Sequence, residues 1–142
     1  MMKTKRIVID TNVIVSALIF YKSTTMQSFI EAKEKGVFLI SDNILSELID
    51  VLSRPKFDRY LSREIREDFL ASLFTEAEII KITEKIEVCR DSKDNKFLEV
   101  AVNGNATHII TGDGDLLELH PFRGISILTP RQFLEVIREL QP

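Results

Sequence analysis

Short runs of consecutive apolar, mostly β-branched residues alternate along this chain with longer segments of helical periodicity. Runs of this kind are typical of strands that are buried on both faces of a parallel sheet. The pattern predicts strands at residues 6–9, 37–40, 78–82, 108–111 and 126–128. It predicts helices at residues 13–20, 25–35, 42–53, 62–74, 93–103 and 130–140. This order predicts an α/β fold, a three-layer α/β/α sandwich whose central, mainly parallel sheet has about five strands joined by right-handed crossovers.

The last predicted helix has the clearest start signal. Thr129 is a good N-cap residue, Pro130 suits the first helical position, and Gln132 stands at the capping-box position. The apolar stripe that follows is predicted to consist of Phe133, Val136, Ile137 and Leu140. No repeat, low-complexity tract or linker divides the sequence, so we expect one domain over residues 1–142.

Composition narrows the class of protein. The 142 residues are 44% hydrophobic, which is enough for one core without disulfides. The net charge of −3 gives no sign of a generally basic surface, so a nucleic-acid partner would have to be held locally. Cys89 is the single cysteine and cannot form an intramolecular disulfide, which indicates a reducing compartment.

The N-terminus superficially resembles a signal peptide, because basic residues precede an apolar run at residues 7–20. Asp10 and Asn12 interrupt that run in its first half, and the run is too short to span a bilayer. We therefore expect a soluble cytoplasmic protein without a membrane partner.

Two aspartates follow predicted strands. Asp10 ends the first strand and Asp113 follows the fourth. Ligands of open parallel sheets bind beyond the carboxyl ends of the strands, so both side chains are candidates for a site. Each aspartate could equally cap the helix that follows it, and the sequence leaves that alternative open.

Two further acids lie on predicted helices. At about 100° per residue, Glu47 falls within about 40° of the edge of its helix's apolar stripe. It therefore faces either the crevice or solvent. Asp94 begins a core-facing stripe with i, i+3, i+4, i+7 spacing, and Asp91 can act as the N-cap of that helix. The other members of the stripe are Phe97, Leu98 and Ala101.

Four carboxylates gathered in one crevice would repel each other unless cations neutralise them or some take up protons. Ligation by oxygen alone suits Mg²⁺ or Mn²⁺. The two histidines, His108 and His120, lack the spacing of a metal-binding pair, which argues against zinc. The sequence therefore predicts a Mg²⁺ or Mn²⁺ site.

Four motifs in this order resemble the PIN-domain family of metal-dependent ribonucleases, and most resemble the VapC-like toxins of toxin–antitoxin systems. They lie at residues 9–13, at 45–48 with 54–57 downstream, at 91–98 and at 111–117. The resemblance spans nearly the whole chain. It implies the α/β/α fold predicted above and hydrolysis of RNA phosphodiester bonds.

The resemblance also assigns roles to individual residues. The catalytic, metal-binding quartet would be Asp10, Glu47, Asp94 and Asp113. Asp115 would be a further ligand or a helix cap. Hydrogen bonds would support the site from Thr11, Asn12, Asn95 and Thr111. The implied partners are RNA and an antitoxin protein, while a homodimer is left open. The alternative is a catalytically silent PIN domain that acts as a binding or assembly module.

Basic residues near these motifs are candidates for contacts with RNA phosphates. Lys93 and Lys96 flank Asp94, so we expect both to contact RNA. The other basic residues nearby are interpreted as solvated surface; they are Arg54, Lys56, Arg59 and Arg90.

Overall fold

The computed structural model describes residues 4–139 and contains a five-stranded parallel sheet. Its strands are β1 (Lys5–Ile9), β2 (Gly36–Ile40), β3 (Glu78–Ile79), β4 (His108–Ile110) and β5 (Ser126–Leu128). They lie in the order β3-β2-β1-β4-β5, and every pair is parallel. The predicted parallel sheet is confirmed.

Helices cover the sheet. They are α1 (Thr11–Ile19), α2 (Thr24–Lys35), α3 (Asp42–Leu52), α4 (Arg63–Glu76), α5 (Asn95–Asn103), α6 (Gly114–Leu117) and α7 (Pro130–Glu139). Helix α7 packs on α2, while α5 packs on β1, β2 and β4. The connection through α5 runs from β3 to β4, in the direction opposite to that of the two earlier connections. A right-handed crossover in this direction places α5 on the opposite face of the sheet. The predicted three-layer α/β/α sandwich is confirmed.

Strand β1 is at the centre of the core. Ile7, Val8 and Ile9 are at most 5% exposed, so both faces of this strand are covered. Ile7 is in register with Phe38 of β2 on one side and with His108 of β4 on the other. The uninterrupted apolar run in the sequence therefore reflects a strand buried between two layers of helices.

The edge strand β3 is shorter than the predicted 78–82, and that prediction was wrong in its extent. Glu78 and Ile79 pair with the end of β2, and the Ile80 N–H donates to the Ile40 carbonyl at 2.8 Å. Because β2 ends at Ile40, the residues after Ile80 have no ladder partner there. Their β-branched composition is not sufficient to extend the strand.

The helix predicted at 93–103 is divided in two. A 3₁₀ turn at Ser92–Asp94 precedes α5, and the Asp91 side chain caps this turn by accepting the Lys93 N–H at 3.0 Å.

At the start of α7, Thr129 Oγ1 accepts the Gln132 N–H at 3.1 Å and Gln132 Oε1 accepts the Thr129 N–H at 2.9 Å. The predicted capping box is confirmed, whereas Leu140 of the predicted stripe lies outside the described residues.

The buried apolar side chains of the described residues form a hydrophobic core cluster, and a single domain over 1–142 stays a prediction. Within residues 4–139 no single helix is long and apolar enough to cross a membrane. Helices α1 and α2 meet the length and composition criteria only as a pair, and that pair is bent by 109°.

Candidate metal centre

The strand order creates a crevice at the carboxyl ends of β1 and β4, where the direction of the connections reverses. Asp10 follows β1 and Asp113 follows β4. Each is also an N-cap: Asp10 Oδ1 accepts the Asn12 N–H at 3.0 Å, and Asp113 Oδ1 accepts the Asp115 N–H at 2.9 Å. Capping engages one oxygen of each carboxylate, so the capping role and a place in the crevice are compatible.

Thr111 joins these two aspartates. Its fully buried hydroxyl donates to Asp10 Oδ2 at 2.8 Å and accepts the Asp113 N–H at 3.0 Å. One side chain on the β4 side of the crevice thus fixes both the β1 carboxylate and the turn that carries Asp113. The relative position of the two strand ends is set by sheet pairing and by this hydroxyl.

Three carboxylates form a compact group, which we call the acidic cluster: Asp94, Asp113 and Asp115. Each contributes one oxygen, and these oxygens all lie within 4.8 Å of one another. Asp94 is 8% exposed, and its buried Oδ2 has no hydrogen-bond partner among the described residues. Buried carboxylate oxygens without donors are costly unless a cation or a proton compensates them. The all-oxygen donor set fits Mg²⁺ or Mn²⁺.

The electrostatics of the crevice oppose ionisation. Burial, and next the adjoining Asp113 carboxyl, raise the pKa of Asp94 to about 7. Burial also raises the pKa of Asp10, although the Thr111 and Asn12 hydrogen bonds act in the opposite direction. Both shifts have the sign expected for carboxylates that are gathered in advance of a cation.

Glu47, on α3, lies outside the acidic cluster. Its charge contributes to raising the pKa of Asp10, so it approaches the site from α3. Its carboxylate is paired with the Lys96 ammonium, and the two side chains are 33% and 16% exposed. The ammonium also lies 5.3 Å from the centre of the Phe97 ring. Glu47 thus pairs with a lysine of α5 and lies apart from the three aspartates of the acidic cluster.

The remaining supporting residues occupy different positions. Asn12 contacts the preceding carboxylate through its backbone N–H, while its side chain is exposed. Thr11 is buried, and its Oγ1 has no hydrogen-bond partner within residues 4–139. Asn95 Oδ1 accepts the N–H groups of Val88 and Cys89 at 3.2 and 2.9 Å. Asn95 therefore anchors the segment that leads into the site.

Two cavities border the candidate metal centre. One of about 460 Å³ contains Asp10 and Asp113, and another of about 510 Å³ contains Lys93 and Lys96. Cys89 lines the second cavity, where burial, and next the charge of Asp94, raise its thiol pKa to about 11. Nothing in the sequence signals the nearness of this cysteine to the acids, because no motif includes it.

Comparison with known proteins identifies the family. Residues 6–115 match the family model of the PIN domain. The chain therefore belongs to the PIN-domain family, as the sequence resemblance predicted, and this membership supports hydrolytic nuclease activity. The chain is also 35% identical over 140 residues to the uncharacterized protein MJ1680 of Methanocaldococcus jannaschii, with 92% of this chain and 90% of that protein covered.

Two solved structures have the same fold. VapBC2 from Rickettsia felis, bound to a DNA fragment from its promoter, superposes with a TM-score of 0.58 and 15% identity over 86% of this chain and 96% of that one. PAE2754 from Pyrobaculum aerophilum also gives a TM-score of 0.58 and 15% identity, over 95% of this chain and 90% of that one. At this identity the likeness is one of fold.

Proposed function

We propose that this protein is a Mg²⁺- or Mn²⁺-dependent ribonuclease that acts in the cytoplasm as the toxin component of a toxin–antitoxin system. The observation that carries the nuclease proposal is the acidic cluster, in which three carboxylate oxygens lie within 4.8 Å at the carboxyl edge of a PIN-domain sheet. The fold shared with the Rickettsia felis VapBC2 structure supports the toxin role and an antitoxin partner.

In this proposal the acidic cluster holds the cation together with Asp10. A divalent cation bound there supplies stabilisation of negative charge on the phosphate and activation of water for attack. Zinc is disfavoured because both histidines are engaged elsewhere. The His108 ring packs edge-on against Phe133 with centroids 5.6 Å apart, and His120 Nδ1 accepts the Ile127 N–H at 2.9 Å.

The lysines beside the cluster have separate roles in the proposal. Lys93 is exposed and makes no salt bridge among the described residues, so its ammonium is available to an RNA phosphate. Lys96 is paired with Glu47. Its ammonium has three donors, so it can also donate a hydrogen bond to an RNA phosphate in the cavity. We assign the orientation of the attacking water to Glu47 or Asp94, the two carboxylates of the expected quartet whose side chains do not cap a helix.

Cleavage of labelled single-stranded RNA by the purified protein tests the nuclease proposal. Cutting should require Mn²⁺ or Mg²⁺, stop with EDTA, and be lost in Asp10→Asn and Asp113→Asn. Asp68→Asn is a matched control, because it neutralises an exposed carboxylate on α4 and should cut like the wild type. Equal cleavage by all four proteins would reveal a contaminant and refute the proposal.

Growth of cells that express the protein alone tests the toxin role. Wild type should arrest growth and Asp10→Asn should not, because arrest depends on hydrolysis. Unimpaired growth with a soluble, RNA-cleaving protein would contradict the toxin role without affecting the nuclease proposal.

A catalytically silent binding module is the second candidate. The Glu47–Lys96 pair favours it, since a lysine ammonium then neutralises one acid of the expected quartet without a metal ion. This candidate predicts that the wild type does not cleave RNA with either Mn²⁺ or Mg²⁺ present. RNA cleavage that Asp113→Asn abolishes would exclude it.

A further inference from the structure

A third cavity, of about 400 Å³, adjoins the candidate metal centre. It shares Ser16 of α1 with the cavity that contains Asp10 and Asp113. We call it the aromatic–basic groove; its lining residues are Val15, Ser16, Ile19, Phe20, Lys56, Phe57, Arg59 and Tyr60. Helix α1 leads from the metal centre to the groove, so at 1.5 Å per residue its far end at Phe20 is about 15 Å from Asp10.

Large aromatic side chains project from this groove into solvent. Phe20 is 55% exposed and Tyr60 is 52% exposed. Tyr21, which follows Phe20, is 78% exposed, so both tyrosines of the chain are at this end of α1 or in the groove. Aromatic faces in such positions contribute little to the core and are available to stack on a ligand.

Cations accompany the aromatic rings. Lys56 Nζ lies 5.1 Å from the centre of the Phe57 ring, and Arg59 Cζ lies 5.5 Å from that of Tyr60. Within residues 4–139 neither cation forms a salt bridge. Asp58, the one acid in residues 54–61, is paired with Arg66. The groove thus has a local positive charge on a chain whose net charge is −3.

Arg66 also fixes the segment that carries these side chains. Its guanidinium is 2% exposed and donates to the carbonyls of Leu52 and Arg54 at 2.7 and 3.1 Å, in addition to its pair with Asp58. These bonds tie residues 54–58 to the end of α3. Lys56 and Phe57 are consequently presented by a fixed segment, and the Tyr60 N–H continues it by donating to the Phe57 carbonyl at 3.0 Å. A fixed segment lowers the ordering cost of binding.

We propose that the aromatic–basic groove binds unpaired bases of single-stranded RNA next to the scissile phosphate. The rings stack on bases, while Lys56 and Arg59 contact the connecting phosphates. Stacking requires bases free of their pairing partners, so the groove selects single strands. This inference rests on the proposed ribonuclease function, and it replaces the interpretation of Lys56 and Arg59 as solvated surface.

Fluorescence anisotropy with a labelled, unstructured 12-nucleotide RNA in Mg²⁺ buffer tests the groove. All proteins carry Asp10→Asn, so the RNA stays intact and the result does not depend on cleavage. Tyr60→Ala should weaken binding about 5- to 150-fold, the range for losing one stacked base, whereas Tyr60→Phe should bind like its parent. Arg59→Ala should weaken binding and reduce the slope of log affinity against log salt by about 0.7.

Two controls test the location. Phe74→Ala removes an exposed ring of α4, and Lys33→Ala removes a cation near the C-terminus of α2; both should bind RNA like the parent. Unchanged affinity in Tyr60→Ala and Arg59→Ala would overturn the proposal, even if the enzyme cuts RNA. Sedimentation of the same variants covers the other occupant: a dimer that Tyr60→Ala dissociates without loss of RNA affinity would assign the groove to a second copy.

Discussion

Replacing Asp94 by asparagine should stabilise the metal-free protein at alkaline pH. The pKa of Asp94 is raised from 3.8 to about 7, and one pKa unit corresponds to about 1.4 kcal/mol, so the ionised carboxylate destabilises the fold by roughly 4 kcal/mol at most. Since the native state holds this proton more tightly than the unfolded state, metal-free stability falls as pH rises from about 4 to 7 and stays low above 7. The neutral amide removes that loss.

Thermal unfolding in EDTA measures this effect. At pH 8 Asp94→Asn should melt above the wild type by up to roughly 12 to 20 °C, because 1 kcal/mol shifts the Tm of a domain of this size by about 3 to 5 °C. The gap should shrink at pH 5, where wild-type Asp94 is protonated, and Mg²⁺ should raise the Tm of the wild type alone. If Asp94→Asn melts at or below the wild type at pH 8, or if the gap is equal at pH 5 and pH 8, the pKa of Asp94 is not raised in the folded state.

Three other predictions follow from the geometry. Thr111→Val should destabilise the fold by about 1 to 3 kcal/mol and weaken Mn²⁺ binding, because the Asp113 N–H loses its acceptor and Asp10 loses a donor. Chemical denaturation measures the stability and calorimetry measures the Mn²⁺ affinity, and failure of Thr111→Ser to restore both would contradict this role of the hydroxyl. Arg66→Met should lower the free energy of unfolding in urea by about 3 kcal/mol, since buried carbonyls lose a charged donor. A variant as stable as the wild type would show that the Arg66 hydrogen bonds do not stabilise the fold. Mn²⁺ affinity measured by calorimetry should fall as pH decreases below about 7, because protons compete for Asp94, and affinity that is constant from pH 5 to 8 would be inconsistent with Asp94 as a ligand.

Local patterns predicted the residues whose positions depend on a single element. Asp10 and Asp113 could be found because each directly follows a strand, and strand ends of a parallel sheet share one edge. Asp94 could be found because its i, i+3, i+4, i+7 partners are apolar, and it is indeed buried beside them. In these cases the periodicity of one helix or strand is sufficient.

Contacts between elements distant in sequence were not predictable in this way. Lys96 pairs with Glu47 across 49 residues, so no helical pattern reports it, and the sequence assigned both side chains to RNA or metal. Arg66 lies on a largely polar helix, and it is buried through contacts with the end of α3 and with residues 54–58, which include a 3₁₀ turn at Pro55–Phe57. The end of β3 likewise depends on where its neighbour β2 stops.

We propose that Asp94, Asp113 and Asp115 form a divalent metal site. A crystal soaked in Mn²⁺ and measured for anomalous scattering tests it most directly. We expect an anomalous peak in the crevice, with oxygens of all three carboxylates within roughly 2 to 2.5 Å of it. A map without a peak at these residues, at a Mn²⁺ concentration that supports RNA cleavage, would show that they do not bind the metal.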